Sequence, residues 1–74
     1  MRMHPLPAEK VIMALEKAGF KRIRQKGSHV ILKRDGRTTV VPVHKGEDIR
    51  PALLLKIISD AELTRDEFLK LIGK

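Results

Sequence analysis

The chain is expected to fold as an α+β domain, with helices packed on one face of a three-stranded antiparallel sheet. Three observations carry that expectation. Apolar residues recur at helical spacing near the N-terminus and again in the second half. Between these stretches lie two segments rich in β-branched residues, His29 to Arg34 and Arg37 to Val43, joined by Asp35-Gly36. That dipeptide tolerates the positive φ of a tight hairpin turn. Finally, Thr64-Arg65-Asp66-Glu67 has the form of a capping box that opens a short last helix.

Pro7, with its fixed φ, suits the first turn of the first helix, and Glu9 complements the positive end. Ala8, Val11, Ile12, Leu15 and Ala18 form its apolar stripe, and Gly19 stops it. Phe20 then folds back on the stripe. Phe20 to Lys26 is expected as a basic strand with Ile23 as its main internal apolar residue. A turn at Asp35-Gly36 places Leu32 opposite Thr39, Val30 opposite Val41 and His29 opposite Pro42. Val30, Leu32, Val41 and Val43 then face the core. His29, Ile31, Lys33, Thr38 and Val40 share the other, less covered face; a slip of one residue would exchange the two. In the second half, Leu54, Ile57, Ile58 and Ala61 form the next helical stripe, with Leu53 widening it. Asp48 or Arg50 is the N-cap residue, with Pro51 in the first turn. Phe68, Leu71 and Ile72 carry the apolar side of the last helix.

At 74 residues the chain is one domain, 1–74, with residues 1–6 expected as a flexible tail that includes His4. Without cysteine it has no disulfide and no thiolate metal site, which fits a reducing cytoplasm. The start of the chain lacks the apolar run of a signal peptide, and no stretch is apolar enough to span a bilayer, so a cytoplasmic location with no membrane partner is expected. The formal charge of +7 favours nucleic acid or an acidic protein as partner, with a solubilising surface as the plainer reading. With Phe20 and Phe68 as the aromatic residues, contacts to phosphates and sugars are expected rather than base stacking on aromatic rings.

His29 is the lead candidate for chemistry. Imidazole titrates near neutrality, so it can accept and donate a proton. In metal-free RNA cleavage a base deprotonates the 2′-hydroxyl, which attacks the adjacent phosphorus, and an acid protonates the leaving oxygen. Cations stabilise the charge that builds on the phosphorus oxygens. Arg22, Arg24, Lys26 and Lys33 surround His29 in sequence and are the candidate RNA-binding cations. Gly27 lets backbone approach a phosphate closely, and the Ser28 hydroxyl can orient it. By spacing alone, the commoner case is an exposed strand histidine beside a solvated basic edge. His44 is the candidate second proton-transfer group, with an ordinary loop residue as the plainer reading. The three histidines have no metal-ligand spacing, so no metal and no cofactor are expected.

Ala14-Leu15-Glu16-Lys17-Ala18-Gly19-Phe20, Arg24-Gln25-Lys26-Gly27-Ser28-His29, Val41-Pro42-Val43-His44 and Asp48-Ile49-Arg50-Pro51, in this order and spacing, resemble the HicA family. Its members are small mRNA-interferase toxins of type II toxin–antitoxin systems. The resemblance runs from Glu9 to Leu71, with Ala52 where members often have glycine. It implies a fold similar to the double-stranded-RNA-binding domain and puts His29 at the family's catalytic histidine. It also implies a HicB-type antitoxin that covers the active surface, with His29, Ile31 and Val40 as the expected contact. The free protein is expected to be a monomer. A non-catalytic RNA-binding module of the same fold is the alternative, and a pure interaction protein for an acidic partner is a third reading.

Overall fold

The computed structural model describes residues 3–73. Its elements are β1 (Leu6–Pro7), α1 (Ala8–Lys17), β2 (Lys21–Lys26), β3 (His29–Arg34), β4 (Arg37–Pro42), β5 (Asp48–Ile49), α2 (Pro51–Asp60) and α3 (Arg65–Ile72). Strands β2, β3 and β4 form an antiparallel sheet in that order, and β1 pairs with β5 as a separate two-stranded ribbon. Among the described residues no helix is long and apolar enough to cross a membrane.

The first helix ends as its sequence requires. Gly19 adopts φ +99, the Phe20 N–H reaches the Leu15 carbonyl at 3.0 Å, and the Gly19 N–H reaches that of Glu16 at 3.0 Å. This Schellman arrangement turns Phe20 into the core. Arg34 adds a donor to the Ala18 carbonyl, placing a cation at the negative end of the helix. The α2 terminus repeats the pattern with bonds from Glu62 to Ser59 and Leu63 to Ile58, although Glu62 itself takes φ +58. Arg50 is the N-cap residue of α2 and Pro51 occupies its first position. The capping box at α3 is complete: Glu67 N–H donates to the Thr64 hydroxyl at 3.1 Å, and Thr64 N–H donates to the Glu67 carboxylate at 2.8 Å.

The β3–β4 register is the one the Asp35-Gly36 turn dictates, with Leu32 opposite Thr39, Val30 opposite Val41 and His29 opposite Pro42. Both turn residues have positive φ. Val30, Leu32 and Val41 are buried against α1 and α2, as is Thr39, which the apolar pattern passes over. The Thr39 hydroxyl donates to the Ile57 carbonyl at 3.1 Å, fastening α2 to the edge strand. Phe68 of α3 is fully buried and Leu71 and Ile72 pack on the same core, so the last helix completes the interior.

Three details depart from the sequence reading. Ile23 is not internal: the register shifts between Arg22 and Arg24, leaving Ile23 as the extra residue of a β-bulge with 51% of its surface exposed. Leu53 lies outside the α2 core stripe and is 36% exposed, because the stripe is already filled by Leu54, Ile57 and Ile58. Residues 1–6 are not a tail throughout: Leu6 pairs with Ile49, and Met3 and Leu6 pack against the core, whereas residues 1 and 2 lie outside the described residues.

Candidate nucleic-acid interface

The turn that carries the candidate histidine is a two-residue hairpin, Gly27-Ser28, between β2 and β3. Gly27 takes φ +60, the positive value that glycine accepts at the first central position of such a turn. A side chain there would meet no atom within 4 Å, so the position is open to solvent while its backbone conformation favours glycine. The Ser28 carbonyl accepts the Val43 N–H at 2.6 Å, which extends the β3–β4 ladder past Pro42 and ties the turn to the end of β4. His29 follows as the first residue of β3, exposed, with Lys26 opposite on one side and Pro42 on the other.

Because paired residues share a face, the register assigns every strand side chain. Lys26 and Arg24 of β2 stand opposite His29 and Ile31, and Lys21 stands opposite Lys33. These six residues therefore occupy the open face, joined from β4 by Thr38, Val40 and Pro42. All the charged strand residues on this face are cations, and among the described residues none of Lys21, Arg24, Lys26 and Lys33 has an ion-pair partner. Strand charge of one sign is the condition under which a phosphate backbone is attracted.

The bulge separates Arg22 from this group. Arg22 stands opposite Leu32 on the helix side, and its Nε lies 3.2 Å from the Glu16 carboxylate of α1. Simple alternation would have kept it beside Arg24. Lys21, which no motif singled out, takes a place on the open face for the same reason: the extra residue inverts the facing of everything before it.

His29 also lines a groove of about 370 Å³ where β4 meets α2. Its walls are Val40, Pro42, Leu53 and Ile57, and its polar residues from α2 are Lys56 and Asp60, paired at 3.1 Å. The α2 residues Leu53, Lys56, Ile57 and Asp60 follow i, i+3, i+4, i+7, a helical stripe that the neighbouring core stripe overshadows in the sequence. His44 does not line this groove. It lies in the loop after β4 and lines an adjoining groove with Glu47, Asp48 and Arg50, the two sharing Pro42 and Leu53. Among the described residues no group of three or more His, Cys, Asp or Glu could hold a metal ion.

A helix, a three-stranded antiparallel sheet, a second helix and a C-terminal helix, with a histidine on the uncovered basic face, define a domain of double-stranded-RNA-binding-domain-like architecture. A family model described as the HicA toxin of bacterial toxin–antitoxin systems matches residues 8–63, most of the chain. The chain belongs to the HicA toxin family, and membership implies an antitoxin partner. Curated proteins provide no match to it. The family match ends before α3, although α3 supplies the buried Phe68.

Proposed function

We propose that this protein is an mRNA interferase, cutting messenger RNA without a metal ion through proton transfer at His29, and that a HicB-type antitoxin silences it by covering the same sheet face. The observation that carries the reading is the exposed position of His29 on a face whose charged strand residues are all cations, in a chain of this family. An imidazole there is accessible to a phosphodiester, and Lys21, Arg24, Lys26 and Lys33 are available to hold the flanking phosphates. As the 2′-oxygen bonds to phosphorus, the bond to the 5′-oxygen breaks and that oxygen takes a proton. His29 removes the first proton or supplies the second, and the cations stabilise the equatorial oxygens in between. The Gly27-Ser28 turn offers unhindered backbone and a hydroxyl beside that position. His44 is the named candidate for the complementary proton transfer, reached across Pro42 and Leu53.

The test compares the purified protein with His29→Ala on a single-stranded message without added metal. Cleavage is expected to fall by about 10²–10⁴-fold, the usual contribution of one positioned proton-transfer group. Equal cleavage by both would remove His29 from the mechanism. For the antitoxin, the expected complex buries His29, Ile31 and Val40; a complex that leaves all of them open would contradict inhibition by occlusion. The duplex-binding alternative draws no support from the first turn of α2, which carries Pro51, Ala52 and Leu53 and no lysine.

A further inference from the structure

The groove between β4 and α2 has a composition that the phosphate-holding role of the sheet does not explain. The exposed apolar side chains along it are Val40 and Leu53, each 36% exposed, with the half-buried Pro42 at the end of β4. Ile57 lines it from the buried core at 1% exposure. The polar groups α2 adds are one donor, the Lys56 ammonium, and one acceptor, the Asp60 carboxylate, held 3.1 Å apart. A carboxylate here is out of place in a site for phosphate alone, since it repels the ligand and offsets the lysine. An apolar groove that also carries a paired donor and acceptor suits a flat heterocycle with both kinds of hydrogen-bonding edge.

We infer that this groove takes a nucleobase next to the scissile phosphate of single-stranded RNA, and that Lys56 and Asp60 determine which base is accepted. The inference rests on the ribonuclease reading and deepens it. Two features favour RNA as the occupant. The groove is continuous with His29, which lines it, and it opens beside a face bearing the cations Lys21, Arg24, Lys26 and Lys33, so a strand whose phosphates lie on β2 and β3 has a base within reach of α2. Sequence-specific recognition of single strands works by splaying a base out, packing its plane and reading its edge. Here the aliphatic walls substitute for the absent aromatic platform, and the Thr39 bond to the Ile57 carbonyl keeps the α2 wall at a fixed distance from β4. Asp60 accepts from an exocyclic amine or ring N–H, and Lys56 donates to a carbonyl or ring nitrogen. The Lys56–Asp60 pair is exposed on the helix surface, with side chains 69% and 42% accessible, so exchanging either residue leaves the core untouched.

Binding and cleavage test this separately. The first arm titrates the protein with a short mixed-sequence oligoribonucleotide, 2′-O-methylated throughout so that it cannot be cut, and with an abasic oligomer of the same length. Methyl resonances of Val40 and Leu53 are expected to shift with the first and stay in place with the second, while both perturb residues of β2. Equal methyl shifts from the two oligomers, or no methyl shift from the base-bearing one, would overturn the groove assignment and leave the basic face intact. Failure of both oligomers to bind would sink the RNA reading and this inference together. The second arm maps cut sites on one message. Asp60→Asn and Lys56→Met are expected to change the relative use of sites by about tenfold, the factor carried by one hydrogen bond to a charged group. An unchanged site distribution in both variants would overturn the assignment of specificity to this pair.

Discussion

The two faces of the β2–β3–β4 sheet use alternate residues of the same strands and have opposite characters. On the helix side Val30, Leu32, Thr39 and Val41 are 0–3% exposed, and the polar member, Thr39, has its hydroxyl satisfied. On the open side His29, Lys33 and Val40 are exposed, Ile31 is half-buried, and the β2 residues are all exposed. Stability is concentrated on one side and candidate chemistry on the other. A substitution one position along β3 should therefore change a different property of the protein.

The largest expected effect follows from that alternation. Leu32→Ala removes a fully buried side chain and should cost about 2–5 kcal/mol in chemical denaturation. Ile31→Ala, its neighbour on the open face, should cost less than about 1.5 kcal/mol and weaken antitoxin binding instead. Comparable destabilisation by both would break the two-face description.

The second expectation sharpens the placement of the arginines. Arg24→Ala should weaken RNA binding and make the logarithmic salt slope shallower by about 0.7, the loss of one single-strand phosphate contact. Arg22→Ala should leave that slope unchanged, because Arg22 is held on the helix side by Glu16. Equal slopes in the two variants would show that the bulge does not sort them.

Effects at the helix ends should be smaller. Glu62 occupies the left-handed position that ends α2, so Glu62→Gly should relieve about 1 kcal/mol of backbone strain, less whatever its exposed contact with Arg37 contributes. A melting temperature that falls in Glu62→Gly would show that the ion pair outweighs the strain. The smallest effect belongs to Glu67, whose pKa is lowered by the backbone and then the side-chain hydrogen bond from Thr64. A carboxylate with a depressed folded-state pKa stabilises above its unfolded value, near 4.5, and that contribution is lost as pH falls through the folded value. Glu67→Gln should flatten this acid limb slightly, read as the pH dependence of unfolding; an unaltered limb would count against the capping box as its source.

Much of this was legible in the sequence because it is local. Gly19 and Phe20 specify the end of α1 within a few residues, Asp35-Gly36 specifies a two-residue turn, and a turn of known length fixes which residues pair. The position of His29 on the open face follows from that register alone, and so does the company of Ile31, Lys33 and Val40. Motif order was enough to indicate the family that the model match bears out.

Tertiary structure decided the rest. A bulge depends on how one strand fits its partner, so residue alternation in β2 could not reveal that Ile23 would be the extra residue, or that Arg22 and Lys21 would exchange faces. The groove beside His29 joins residues from β4 and α2 that are far apart in sequence. Lys56 and Asp60 had no meaning for the site until α2 was fastened against the edge strand. Short-range backbone geometry is written in neighbouring residues, whereas the meeting of two surfaces depends on how the whole core packs.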